Sequence, residues 1–582
     1  MNLTFANPAG MWALLGIPAI VLIHFLQTKS RRVYASTLFL LDPLAKESTG
    51  GSKIERLRNS VPLWLQLLAV LLLAWLLSAP RWIKADSTQS VVVVLDSSMA
   101  MRAFQDNLNK MLPERLRELS KAAAKTDWVV METDLTRPAI YSGGNVEALA
   151  EALGKWKPNL GSHDPGPALR LGQSLLHQHG LLVFVSYRQA DLPPGAQLIA
   201  VGKPTANCGF AGFRFDADKN TWHALVKNYG DTPQQRQWWV DAGGQKIAPE
   251  QIMLQPNQAL ALKGTFPGGV QACALRLDPD AFTVDDSLPM VLPQPKRLKI
   301  FSPAGTPFSD FFGKLVQSIP AVDTVVPATG TPDVELAVYD PLLPSLPPGA
   351  AIVFLKEPAP RDKYVAGEIV AERDPLTDSL AWQGLLCKET LNIPKREGDR
   401  ALLWQGERPL IILRGGVKPQ LLFNFDIEQS NAERLPAFVI LLHRFVESIR
   451  DAKIAPETAN VETNQLLHVT VDPGGKPVEL HTEDGAPDIV VAPAQAETLR
   501  APVEPGFFEV RQGNLVLLKA AAHFTDTRVA DLHDAQTIDG LKGATLAAIT
   551  EKNSRKDFLL PVWILLAAGT FVLNWAWPGR TS

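Results

Sequence analysis

The chain has 582 residues, room for about three or four domains. A formal net charge of -3 and a pI near 6.4 exclude a global basic field of the kind that holds nucleic acid. Hydrophobic residues make up 46%, an ordinary globular share, so any membrane signal has to be local.

Three apolar stretches, roughly Met11 to Leu26, Val61 to Leu77 and Phe558 to Trp577, each approach the ~20 residues that cross a bilayer. They read as three transmembrane helices, with Trp12, Trp64, Trp75, Trp563, Trp575 and Trp577 as interfacial anchors. The first does not read as a cleaved leader, because no basic region precedes it and Lys29, Arg31 and Arg32 follow it. Residues 1–80 form a two-helix anchor around a basic loop, 28–60, which carries Lys46, Lys53, Arg56 and Arg58 as well. The positive-inside rule puts that loop in the cytoplasm and the region from about 81 to 557 outside, on the periplasmic side of a bacterial inner membrane. Lys552, Arg555 and Lys556 argue the other way, but early segments dominate orientation. His24 lies near the inner end of the first stretch and reaches the interface by snorkelling.

Residues 88–204 alternate strand and helix. VVVVLDSS is a continuously apolar, β-branched strand that ends in Asp96, Ser97 and Ser98. Leu108, Met111, Leu112, Leu116 and Leu119 predict a helix within Arg102 to Ala124. DWVVMET is a second strand, Asn145 caps a helix reaching Trp156, Pro167 to His177 is another helix, and LLVFVSY and AQLIAVG are strands. This order gives a Rossmann-like, doubly wound parallel sheet, whose strand carboxyl ends are the place for a ligand.

Residues 205–293 change character. WHALVKNYG, RQWWVDAGG, QALALKGTF and VQACALRLD are short strands split by Gly, Pro and Asp, an immunoglobulin-like β-sandwich with Trp222, Trp238 and Trp239 in its packing. Cys208 and Cys273 fall here, either as a pair or as buried free thiols; with Cys387 they form no CxxC motif, so a zinc site is not expected. Residues 294–453 return to α/β, from RLKIFSP through VELAVYD and GAAIVFLK to LLFNFDI and a helix from Leu435 to Arg450. Residues 454–530 read as a small β domain, 531–557 as a polar connector, and 558–578 as the last apolar helix. The fold class is a mixed α/β and β multidomain membrane protein.

Catalytic motifs are missing. The sequence contains no GxSxG, P-loop or GxGxxG, and His177 and His179 sit near a helix end, where capping is their expected role. Cys387, in GLLCKETLN, has no strand-to-helix elbow, and IVFLK ends without a nucleophile. An enzyme is not expected, and a hydrolase in 294–453 is the remotest reading.

The strand end Asp96-Ser97-Ser98 resembles the Asp-x-Ser-x-Ser pattern of von Willebrand factor A domains, with Ala100 where the last serine would stand. That resemblance implies a Mg²⁺ or Mn²⁺ site completed by a Thr and an Asp from later loops. In this chain GSHDPGPAL sets His163 in place of the Thr, and VSYR sets Tyr187 in place of the Asp. Asp96, Ser98 and His163 are therefore the candidate metal ligands of a degenerate site, and no resident cofactor is expected.

FANPAGMWALLGIPAIVLIHFLQTKSRRVYASTLFLL, with Ser36 to Leu41 closing it, resembles the start of the Bat aerotolerance-type (BatA-like) membrane proteins. VGKPTANCGFAGF, VDDSLPMVL and FNFDIEQSNAERLPAFVILLHRFVESI resemble the ends of the A-type domain, the sandwich and a glutamine-amidotransferase-like domain in the long members of that group. The resemblance implies a non-enzymatic scaffold or adaptor, tied to a MoxR-type AAA+ ATPase and to other A-type membrane proteins, acting in stress tolerance or complex maturation. The lipid bilayer is its other partner. A reading of a different class is a metal-dependent receptor using Asp96, Ser98 and His163. The loop 28–60, with Tyr34, Leu38, Phe39 and Leu40 among its cations, serves as a lipid-facing segment or as the dock for the ATPase.

Overall fold

A computed structural model describes residues 3–26, 61–176, 180–216, 219–306, 308–326, 330–359 and 361–577. The chain folds as two compact units, 1–205 with 532–582, and 206–531, a mixed α/β architecture with several sheets.

In the first unit the second apolar stretch is helical over the residues expected, Val61–Leu77, while the first and third are α-helical over part of theirs. Among the described residues, no helix is long and apolar enough to cross a membrane, which corrects the expectation of three transmembrane helices. The N-terminal run splits into a 3-10 helix, Pro8–Leu15, and an α-helix of 11 residues, Gly16–Leu26. Helices Val61–Leu77 and Leu560–Ala576 have 17 residues each, about 25 Å of rise against a hydrocarbon core of ~30 Å. Backbone chemistry fixes one end of each of these two helices. Ala79 at φ 48° and Pro80 turn the chain out of the second helix into strand Pro80–Ile83, and Pro561 stands in the first turn of the third. The sidedness inferred from three spans loses its premise with them, and the basic loop lies outside the described residues, as do His177 and His179. Strands Leu3–Phe5, Pro80–Ile83 and Ser554–Lys556 pair antiparallel and tie the ends of the apolar segments together.

The same unit holds a six-stranded sheet in the order Thr537–Asp539, Gln197–Val201, Leu181–Ser186, Thr88–Leu95, Lys125–Glu132, Tyr141–Gly143. The four central strands are parallel and the two edges antiparallel. Val91 to Leu95 are fully buried, as a central strand covered on both faces requires. Helices Gln105–Ser120, Val146–Lys155 and Gly166–Leu175 cover the sheet, and the Asn145 side chain caps the second by accepting from the Glu147 amide at 2.9 Å. Part of the 531–557 segment returns to this sheet as its edge strand, Thr537–Asp539.

The second unit begins with two facing antiparallel sheets. One orders Gln245–Leu254, Gln234–Ala242, Ala272–Leu277 and Ser287–Val291, and the other Ala259–Thr265, Thr221–Asn228 and Cys208–Asp216. Trp222 and Trp238, one from each sheet, meet edge to face at 6.1 Å in the core. Cys208, Cys273 and Cys387 are all free and buried. An eight-stranded sheet follows: Val322–Thr324, Leu298–Phe301, Val334–Tyr339, Ala351–Leu355 and Gln420–Phe423 run parallel, and Arg408–Arg414, Arg400–Gln405 and Ile369–Ala371 extend it antiparallel. Helices Ser309–Ser318 and Pro436–Ala452 pack on it through Phe312, Phe438 and Phe445. The last sheet orders Glu457–Glu462, Leu515–His523, Gly506–Gln512, Val478–Thr482 and Ile489–Val491.

His523 ends its strand buried, 5.3 Å from the Phe213 ring, and burial pushes its pKa down to about 4. The unfolded chain takes this proton near pH 6.5, the folded chain only near 4. His523 therefore contributes stability that is lost as pH falls through that interval, by up to roughly 3 kcal/mol. Urea unfolding compared at about pH 7.5 and about pH 5 checks this: the midpoint of His523→Leu, measured against wild type, rises at the lower pH. A difference between the two proteins that does not change with pH would remove His523 as the cause.

Candidate functional site

The site grows from strand register. Leu95 pairs with Glu132 on one side and Val185 on the other, so Asp96, Thr133 and Ser186 leave the three central strands at one level. Backbone bonds fix that level: the Asp96 amide donates to Val185 O and the Thr133 amide to Leu95 O, each at 2.9 Å. Asp96 Oδ1 accepts the Ser98 amide at 2.9 Å, and its Oδ2 accepts the Ser186 hydroxyl at 2.7 Å. Ser98 opens the 3-10 helix Met99–Phe104, its Oγ accepting the Ala100 amide at 3.4 Å. His163 enters from the next loop. Its Nδ1 faces Gly161 O at 2.9 Å, an acceptor, so the ring proton is assigned to Nδ1. Nε2 then accepts the Thr133 hydroxyl at 2.7 Å, while Thr133 Oγ accepts the Ser97 amide at 2.8 Å. Asp96 Oδ1 lies 3.7 Å from Nε2.

Behind this layer Glu132, 4% exposed, accepts the Ser97 hydroxyl and the Trp156 indole N–H, both at 3.0 Å. Asp134 is buried too. Burial works against its charge, yet hydrogen bonds from Thr136 and Asn159 and the charge of Arg137 prevail and hold it below the usual carboxylate range.

The structure thus brings Asp96, Ser98 and His163 together, and adds Thr133, Ser186 and Glu132, which the sequence reading did not single out. Each of those three stands at or one residue past the end of an apolar strand, a position that signals them once the strands are known to be parallel neighbours. The donor set does not fit a hard cation. Ala100 is buried and offers no oxygen, Tyr187 is buried and stacked on Phe104 at 6.3 Å, and the His163 Nε2 lone pair is held by Thr133. Both Asp96 oxygens already serve protein donors. The arrangement is a hydrogen-bonded knot that joins three strand ends to the loop of His163.

Among the described residues, three carboxylates that converge within 4.8 Å lie in the sandwich instead: Asp280, Asp285 and Asp286. Arg236 supplies their cation, with Nη1 2.7 Å from Asp280 and Nη2 2.6 Å from Asp286. Cys387 Sγ sits 3.6 Å from Gln405 Oε1. Burial pushes its thiol up to about 11, against a smaller opposing effect of Arg408, so it holds its proton and is no nucleophile at neutral pH. His24, in helix Gly16–Leu26, bonds back to Ile20 O at 3.2 Å.

Residues 1–80 match the family described as Aerotolerance regulator N-terminal. Residues 208–289, the sandwich, match a domain of unknown function, DUF7407. No curated protein matches the chain. Among solved structures it is similar to proximal thread matrix protein 1 from the mussel byssus, at 14% identity and a TM-score of 0.18, over 25% of this chain and 42% of that one. It is also similar to the pilus adhesin SpaC from Lactobacillus rhamnosus GG, at 8% identity and a TM-score of 0.16, over 74% of this chain and 64% of that one. The chain spans less than two thirds of either structure, and neither likeness is close enough to assign a fold or an activity.

The aerotolerance-type match covers the N-terminal helices and stops before the Asp96 knot. The knot must therefore be judged on its own chemistry, and that chemistry predicts no response to metal. Mg²⁺ or Mn²⁺ at millimolar concentration leaves the melting temperature of the full-length protein unchanged, because Ala100 supplies no oxygen and the His163 Nε2 lone pair is taken by Thr133, which leaves too few ligands beside Asp96. A rise in melting temperature that Asp96→Ala abolishes would reverse that conclusion.

Proposed function

We propose that this protein is a membrane-associated, non-enzymatic adaptor in an aerotolerance-related system of the bacterial inner membrane. The observation that carries this reading is the match of residues 1–80 to the aerotolerance regulator N-terminal family. Surface chemistry supports the membrane association. Trp12, Trp64, Leu565, Trp575 and Phe558 are all more than half exposed on the helical layer, a concentration of bare apolar surface that water-facing proteins avoid. Two further features support an adaptor: the tied-up knot at Asp96 and the protonated Cys387, neither of which offers turnover chemistry.

In this reading the working partner is a MoxR-type AAA+ ATPase, which contacts the basic segment 28–60, and the folded region, with its A-type sheet, presents surfaces to other A-type membrane proteins. Crosslinking in native membranes followed by pull-down of the full-length chain, beside a chain lacking residues 33–57, tests it. Recovery of a MoxR-type ATPase with the full chain and its loss from the shortened one support the adaptor. Absence of the ATPase from both, or equal recovery with both, refutes the proposed contact.

A further inference from the structure

A cleft of about 590 Å³ opens in the second unit, away from the Asp96 knot and the Arg236 cluster. Its floor and one wall come from the chain that follows strand Gln420–Phe423, and the opposite wall from Tyr364 to Lys388. Two short bridges hold the walls in register: Tyr364 pairs with Lys388, and Cys387 with Ser430. The floor is braced from beneath, where Lys356, at the carboxyl end of strand Ala351–Leu355, ion-pairs with Glu428 and lies 3.5 Å from the buried Asp426. Carboxyl ends of parallel strands are where open α/β sheets take their ligands, and a cleft of this volume falls in the range of small-molecule sites.

The lining chooses the ligand. Lys388, Arg434, Glu428 and Glu433 all line it, Lys388 lying 3.8 Å from Asp362 and Glu428 pairing with Lys356, so charges of both signs balance and no net field favours an ion. Gln429 adds an amide. The side chains of Glu433 and Arg434 project from the turn Ala432–Arg434, exposed and without an ion pair or hydrogen bond to other described residues. A carboxylate and a guanidinium in that state present the planar, two-pronged partners that neighbouring hydroxyls accept. Tyr364, 55% exposed, contributes a flat ring with one polar tip. An aromatic face beside paired polar groups of opposite sign suits a molecule that has an apolar C–H face and a rim of hydroxyls. It does not suit a strongly charged ligand, nor an apolar side chain, for which the cleft offers no deep greasy pocket.

We infer that this cleft binds an uncharged oligosaccharide, its ring stacked on Tyr364 and its hydroxyls held by Glu433, Arg434 and Lys388. Free sugars and the neutral segments of an envelope polysaccharide share that chemistry. The bridged walls bring the groups together before the ligand arrives, which lowers the entropic cost of a weak contact.

Calorimetric titration of the full-length protein with maltotriose, cellotriose and chitotriose, up to about 10 mM, tests the inference. Binding of at least one, weakened about tenfold or more by Tyr364→Ala and by Arg434→Met, is the expected result. Both residues are exposed, so the variants fold, and unchanged circular dichroism documents it. No heat from any of the three sugars overturns the inference, as does sugar binding that both variants leave intact. Binding of trialanine in place of the sugars would make the cleft a peptide site and equally overturn it. Insoluble envelope polysaccharide, added as a pelleting partner, separates the sources: co-sedimentation lost in Tyr364→Ala points to the polymer, and binding of soluble sugar alone points to a free ligand.

Discussion

Arg236→Met destabilises the second unit by about 3–5 kcal/mol, the cost of leaving buried carboxylates without their cation. Methionine keeps the apolar stem of the side chain and removes only the charge. What is lost is a hub. Arg236 is 5% exposed, its Nη1 and Nη2 reach Asp280 and Asp286, Nη2 also donates to Asp278 O, and its Nε lies 3.1 Å from Asp278 Oδ1. Asp280 accepts the Phe282 and Cys208 amides, so the hub also fastens the 278–286 turn to strand Cys208–Asp216. One guanidinium cannot neutralise this many acids. Burial, and next the neighbouring Asp280, push Asp286 up to about 7, and burial drives Asp285 well above the carboxylate range despite a hydrogen bond from Asn207.

The sign of the pH dependence follows. An acid whose folded pKa is raised holds its proton longer when folded, so the stability this cluster contributes falls as pH rises from about 4 through 7. Without Arg236 that weakening grows, and the variant is closer to wild type at about pH 5 than at about pH 8. Adding Asp286→Leu to Arg236→Met recovers much of the loss, because an apolar pair replaces an uncompensated charge. Hydrogen exchange at 208–216 with urea unfolding reads the effect, and a single variant within about 1 kcal/mol of wild type, or one that worsens in acid, would refute it. Removing the exposed bidentate pair Arg117–Glu147, at 2.8 and 2.9 Å, should by contrast be nearly silent, since water already screens it.

Only the cationic half of this hub is legible in the sequence. Strand Gln234–Ala242 alternates strictly: Arg236, Trp238 and Val240 point inward, while Gln235, Gln237 and Trp239 do not. The two tryptophans drew attention and the arginine in phase with Trp238 did not, although its inward phase demanded acidic partners. Partner identity was beyond reach, because Asp280 and Asp286 lie more than 40 residues downstream and only the fold brings them back. Val91 to Leu95 were legible because five consecutive apolar, mostly β-branched residues have few other uses. The apolar helices show the opposite failure. Composition reports how strongly a segment avoids water, whereas Ala79 with Pro80 ends the second helix and Pro561 stands in the first turn of the third. At the Asp96 knot, Ser98 and His163 are singled out by the resemblance to the A-type metal motif. Thr133 and Ser186 were hidden as the last polar residues of ordinary strands, since nothing local says which strands will be neighbours. The cleft at Tyr364 was illegible for the same reason, being assembled from segments some 70 residues apart.

Gly202→Ala should destabilise the first unit by about 3 kcal/mol or more, although its backbone lies in an ordinary region and the sequence gives no warning. On unfolded-state entropy alone, alanine would stabilise by about 0.4–1 kcal/mol. Close approach reverses the sign. A Cβ on Gly202 would stand 1.9 Å from the Tyr187 carbonyl oxygen and 3.0 Å from the Ala535 Cβ, so backbone has to move. That carbonyl accepts the Gln536 amide at 2.9 Å, and Gly202 O accepts the Thr537 hydroxyl at 2.6 Å. The substitution therefore strikes the seam where the edge strand Thr537–Asp539 rejoins a sheet built more than 300 residues earlier. Loss of the seam also frees Asp539 from Arg115, a contact of 2.7 Å. Gly154→Ala is the control: it lies within helix Val146–Lys155 with nothing near its would-be Cβ, and alanine there should stabilise by up to about 1 kcal/mol. Hydrogen exchange on the full-length protein distinguishes the two. In Gly202→Ala the amides of Gln536 and Gly540, which donate to Tyr187 O and Leu198 O, exchange first while those of Val91 to Leu95 stay protected. If Gly202→Ala melted with wild type, or opened the central strands together with the edge, the returning segment would not be the independent seam that the contacts at Tyr187 and Gly202 describe.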